Sequence, residues 1–60
     1  MGIVLYYYMN GNLNKKQFDN YEALTNFIKS NLMIQIDLIL KDDKRVDYKL
    51  NIDIEYMEVK

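Results

Sequence analysis

The chain contains no cysteine, no histidine, no proline and no tryptophan, and only two glycines. Each absence closes a route. Without cysteine, no disulfide can restrict the unfolded chain. Without cysteine or histidine, zinc lacks its usual structural ligands. The cysteine nucleophile and histidine base that covalent catalysis often pairs are missing as well. The hydroxyls that remain are those of Thr25, Ser30 and the tyrosines. Gly2 and Gly11 stand apart, so no glycine-rich phosphate loop can form. No apolar run approaches the roughly 20 residues that cross a bilayer. Ile3 to Met9 has neither a basic flank nor a small-residue cleavage site, so a secretory leader is not expected. The expectation is a protein with no cofactor, no metal, no membrane partner and no enzymatic activity. The lack of cysteine fits a cytoplasmic setting.

An excess of positive charge is also missing. Eight basic residues face nine acidic ones, a formal net charge of −1. Nucleic-acid modules usually carry a basic excess, which makes nucleic acid the less favoured partner. The 60 residues allow one domain, spanning 1–60. A domain of this size buries only about 60% of the surface its unfolded chain exposes. With no staple, stability must come from a well-patterned core, self-association, or both.

What is present is apolar and aromatic. Half of the residues are hydrophobic and six are tyrosines. Asparagine, isoleucine, lysine and tyrosine are frequent, all types with AT-rich codons, which suggests a bacterial or phage origin.

Ile3 to Met9 is a continuous run of strand-forming residues, expected as strand 3–9. Asn10-Gly11 follows, a dipeptide that accepts positive φ and marks a hairpin. The return strand is expected at 13–18. Asp19 with Glu22 resembles a capping box, and Tyr21, Leu24, Phe27 and Ile28 recur at helical spacing. A helix is therefore expected at 20–30, closed by a left-handed Asn31. A third strand is expected at 33–40 and a fourth at 46–56, with Lys41 to Arg45 as a charged loop. The fourth alternates strictly, with Val46, Tyr48, Leu50, Ile52, Ile54 and Tyr56 on one side. The phase breaks at Met57, which suggests a bulge or a frayed end.

The expected fold class is α+β with order ββαββ: a four-stranded, mainly antiparallel sheet with one helix on one face. The favoured strand order is 2-1-4-3, because strands 1 and 4 are the longest and most apolar. Order 1-2-3-4 is the alternative. Pairing Leu40 with Val46 across the charged loop sets Leu38 opposite Tyr48, Ile36 opposite Leu50 and Ile34 opposite Ile52, all on the core face. In the first hairpin, parity sends Tyr7 inward with Ile3, Leu5 and Phe18, and Tyr6 and Tyr8 outward.

No second helix is available for the outer face. Tyr6, Tyr8, Leu13, Lys15, Ile39 and Lys49 are the candidate partner-binding residues on it. Tyrosine offers large apolar area with a polar tip, which suits interfaces. The expected function is a small non-enzymatic interaction module that pairs with itself as a homodimer, with another protein, or with both. An accessory or inhibitor protein of a bacterium or phage is one specific form of it. The alternative is nucleic-acid binding, with Tyr6 and Tyr8 stacking bases beside Lys15. Against that alternative, Asp37, Asp47, Asp53 and Glu55 would repel phosphate. Asp42-Asp43, flanked by lysine and arginine, reads as a solvated turn and lacks calcium-loop spacing.

Overall fold

A computed structural model describes residues 2–59. The first hairpin forms as the sequence implies. Asn10 and Gly11 both have positive φ, 54° and 80°, which a two-residue turn of this hand requires. They join β1 (Ile3–Met9) to β2 (Asn12–Phe18) in antiparallel register. Tyr6 faces Lys15 and Tyr8 faces Leu13, while Tyr7 turns to the opposite side.

The helix, α1, runs Tyr21–Ser30. Its cap is Asn20 rather than Asp19. The Asn20 side chain accepts a hydrogen bond from the Ala23 N–H at 2.8 Å, so Glu22 falls one position short of closing a capping box. Asn31 is not left-handed, with φ −133°. Its N–H donates to the Ile28 carbonyl at 3.2 Å and its side-chain amide to the Phe27 carbonyl at 2.8 Å. Those two bonds satisfy orphan carbonyls at the helix end without a strained residue. Leu24 and Ile28 are the buried residues of the helix, and Tyr7 and Phe18 meet Phe27 edge-on or tilted at 5.4 and 5.3 Å.

The second half of the chain departs from the expected pattern at two turns. The strand β3 spans Gln35–Lys41 and β4 spans Lys44–Leu50. Between them is not a five-residue loop but a two-residue turn, Asp42-Asp43, with φ of 52° and 64°. Aspartate tolerates the left-handed region better than most residues. The shorter turn pairs Leu40 with Arg45 and Lys41 with Lys44. That register differs by one residue from a pairing of Leu40 with Val46, and a one-residue slip exchanges the faces. Ile39 thus becomes core, 1% exposed, beside Val46, which stays on the core face as expected at 3%. Leu38 and Leu40 go to the outer face, opposite Tyr6 and Val4 of β1. A register shift in the β1–β3 ladder then skips Asp37, so that Tyr7 faces Ile36. The bulge returns Ile36 to the helix side.

The second departure is the fourth strand, which folds back on itself. The strand β5 (Ile54–Glu58) pairs antiparallel with β4 across Asn51–Asp53. Leu50 opposes Ile54 and Tyr48 opposes Tyr56. A connection of three residues preserves odd–even parity, so the alternation reads straight through the reversal. The turn is held by the Asn51 N–H donating to the Asp53 carbonyl at 2.9 Å. There is no bulge at Met57. It opposes Asp47 on the outer face, and the Val59 N–H still reaches the Arg45 carbonyl at 3.1 Å.

The architecture of the described residues is α+β, with one helix and a five-stranded antiparallel sheet of order β2-β1-β3-β4-β5. The neighbour of β1 is β3, not the fourth strand as favoured from the sequence. The β1–β3 pairing sets Leu5 against Ile39, the two most buried sheet residues. The core is Ile3, Leu5, Phe18, Leu24, Ile28, Ile39 and Val46. Among the described residues, no helix is long and apolar enough to cross a membrane.

The β5 strand lies along the helix on a polar and aromatic seam. Tyr21 stacks on Tyr56 at 4.6 Å. The Tyr56 and Thr25 hydroxyls are hydrogen-bonded at 2.7 Å, and Lys29 pairs with Asp53 at 3.1 Å. Burial pushes the Tyr56 phenol above its ordinary value, and the Thr25 hydrogen bond pulls the other way. Tyr21 is raised as well, first by burial and then by the Glu58 carboxylate. The Ile54 N–H, followed by Lys29, holds the Asp53 carboxyl below its ordinary value.

Candidate interaction surfaces

Two surfaces stand out, and the strand parity just described builds both. The first is the outer sheet face. Directly opposed residues share a face, so Val4, Tyr6 and Tyr8 of β1 lie between Leu13 and Lys15 of β2 and Leu38 and Leu40 of β3. The helix packs on the other side of the sheet, through Leu24 and Ile28. Val4, Tyr6, Leu38 and Leu40 are only half-buried, and Tyr8 and Leu13 are exposed. The Lys15 ammonium stands 5.8 Å from the centre of the Tyr6 ring, within cation–π range. Farther along the same face, Arg45 and Asp47 neutralise each other at 3.1 Å.

Four of the six residues expected on this face from the sequence come together: Tyr6, Tyr8, Leu13 and Lys15. Ile39 does not. It is core, opposite Leu5, because the Asp42-Asp43 turn is shorter than a five-residue loop. Lys49 is on β4, opposite Glu55, with β3 separating its strand from β1. Leu38 and Leu40 take the place of Ile39. The paired aspartates, both able to accept positive φ, were the sequence signal for that exchange.

The second surface is a cleft. The β3–β4 ladder consists of two residue pairs beside the turn, Leu40 with Arg45 and Lys41 with Lys44. Among the described residues the β3–β4 pairing goes no further, while Tyr56 of β5 and Asp53 of the β4–β5 turn contact the helix. The gap is a cleft of about 590 Å³ opening onto the end of the core. Ile28, Ile36 and Ile54 line it together with Leu32, Leu50 and Ile52. At its mouth, apolar side chains face solvent: Leu32 is 84% exposed, Leu50 67% and Ile52 100%, with the adjoining Met33 at 89%. The Lys29–Asp53 pair also borders it.

Among the described residues, no three histidine, cysteine, aspartate or glutamate side chains are grouped so as to hold a metal ion. Asp42 and Asp43 occupy the tight turn between β3 and β4, at the end of the sheet away from the cleft. No family model, no curated protein and no solved structure matches the chain.

Proposed function

We propose that the protein is a non-enzymatic interaction module whose outer sheet face docks another protein. One observation carries this reading: Val4, Tyr6, Tyr8, Leu13, Leu38 and Leu40 adjoin one another on the face opposite the helix, with no helix over it among the described residues. Soluble monomers rarely leave a contiguous apolar patch of more than a few hundred Å² uncovered, and larger ones mark interaction sites. Tyr6 and Tyr8 are suited to anchor such a contact, since each combines a broad ring with a hydroxyl able to pair at the rim. Lys15 beside Tyr6 favours a partner that brings an acidic group to that edge. A small accessory or inhibitory protein acting in the cytoplasm fits this surface and the AT-rich composition.

The test is a parallel capture from bacterial lysate with wild type and the Tyr6→Ser/Tyr8→Ser variant. A polypeptide held by the wild type and lost with the variant, at unchanged far-ultraviolet circular dichroism, is the expected result. Equal retention by both would remove the face from consideration. The cation–π contact of Lys15 with Tyr6 favours one second reading, stacking of a single-stranded nucleic acid. That reading requires a mobility shift at low salt, where phosphate contacts are strongest, and its loss in Lys15→Glu.

A further inference from the structure

We infer that two copies of the chain associate mouth to mouth across the cleft between β3 and the β4–β5 hairpin, each completing the other's core. This contact is separate from the outer face and does not depend on that face's role. Three observations converge on a second copy as the occupant.

The first is area. Leu32, Leu50 and Ile52, which line the cleft, are 84, 67 and 100% exposed. Together they present on the order of 450 Å² of surface, about half of the ~800 Å² that each partner contributes to a standard interface, and the rest of the lining adds to it. That lies within the range of the largest patch on a typical monomer, about 300–600 Å², which is often functional. Polar turns do not need such residues. Asn51 and Asp53 already close the β4–β5 turn, and Ile52 between them is fully exposed.

The second is charge. Lys29 and Asp53 border the cleft as a matched pair at 3.1 Å. A strongly acidic or basic partner finds no complementary field there. A second copy brings the same balanced pair, and a two-fold axis lets each Lys29 approach the other copy's Asp53. The rim is thus self-complementary, as an isologous contact requires.

The third is the core itself. A 60-residue chain with no cysteine has neither disulfide nor zinc to supplement its interior. The cleft opens directly onto Ile28 and Ile36, so the interior is incomplete at that end. A second copy is present wherever the protein is made.

Sedimentation velocity from micromolar to millimolar concentration tests this. Wild type should pass from one chain to two as concentration rises. Ile52→Lys combined with Leu32→Lys, both lining the cleft, should weaken the dimer about a hundredfold or more, as loss of two anchors does. Tyr6→Ser/Tyr8→Ser should leave it intact. Wild type that stays monomeric throughout overturns the inference. So does a dimer indifferent to the lysine pair, or one dissolved by the tyrosine pair alone.

A second measurement holds even if the lysine variant fails to fold. The chain has no cysteine, so a single Ile52→Cys can cross-link only between copies. It should form a disulfide dimer under mild oxidation much faster than Asp19→Cys, which lies at the opposite end of the sheet. Equal rates would overturn the mouth-to-mouth contact while leaving the outer-face reading untouched.

Discussion

Truncating two adjacent residues, Leu38 and Ile39, decides which face of β3 is the core. Ile39 is 1% exposed and opposes Leu5, which is fully buried. Ile39→Ala removes buried carbons and leaves a cavity, at a cost of about 2–5 kcal/mol. Leu38 is half-buried on the outer face, opposite Tyr6. Its truncation leaves a dent open to water, not a cavity. Fully burying a leucine is worth about 1.5–3 kcal/mol, so half of that, about 1 kcal/mol, is expected for Leu38→Ala. A chain of this length has a total stability of roughly 3–9 kcal/mol. Ile39→Ala could consume all of it, and Ile39→Val, costing about 0.5–1.5 kcal/mol, gives a measurable substitute. Urea unfolding, followed by circular dichroism at one fixed protein concentration, reads the difference. With a slope near 1 kcal/mol/M for a small domain, Ile39→Val moves the midpoint by about 0.5–1.5 M. If Leu38→Ala destabilises more than Ile39→Ala, the Asp42-Asp43 turn and the β3 register derived from it are wrong.

The remaining predictions concern the seam between β5 and the helix. The Ile54 N–H and Lys29 hold the Asp53 carboxyl below its ordinary value. A depressed carboxylate contributes stability that is present above its unfolded value, about 3.9, and is lost as pH falls through the lower folded value. Asp53→Asn should therefore flatten the acid limb of the unfolding midpoint measured from pH 6 down to pH 2; an unchanged limb assigns it to other groups. Tyr56 behaves in the opposite sense. Its folded value is raised, chiefly by burial, so its contribution is complete below the unfolded value of about 10 and is lost as pH rises through the raised one. Tyr56→Phe should remove that part of the alkaline slope. At neutral pH it should cost about 1 kcal/mol for the lost hydrogen bond to Thr25. Equal stability of Tyr56→Phe and wild type at neutral pH would show that the bond contributes nothing.

Where neighbouring residues decide the outcome, the sequence was readable. Asn10-Gly11 fixes the first hairpin, and the hairpin fixes which tyrosines point outward. The stripe of Leu24 and Ile28 fixes the helix face. These features depend on separations of a few residues. The strand order and the full outer face depend on counts made across turns, and there one residue changes everything beyond it. A charged run such as Lys41 to Arg45 hides whether its turn takes two residues or five. The two choices exchange Leu38 and Leu40 with Ile39, so one miscount moved three residues between core and surface. The cleft was illegible for another reason: it arises where a ladder stops, and no side-chain pattern records the end of hydrogen bonding between strands that continue.

Alternation fails in an instructive way at Ile52. A period of two reports on which side of a sheet a residue lies, not on the direction in which the chain runs. A reversal of three residues keeps the count even, and Leu50 meets Ile54 as though the strand had continued. Four of the other five apolar members of that run have a reason to be apolar once the hairpin is known: Val46 is core, and Tyr48, Ile54 and Tyr56 share its face, while Leu50, 67% exposed, stands with Ile52 at the cleft mouth. The hairpin supplies no such reason for Ile52, which stands at the tip, 100% exposed. A turn built for water would place a polar residue there, as it does at Asn51 and Asp53. A side chain that follows the core pattern while lying outside the core is what the proposed contact between two copies would cover, since the cleft mouth beside it is the surface that each copy would present to the other.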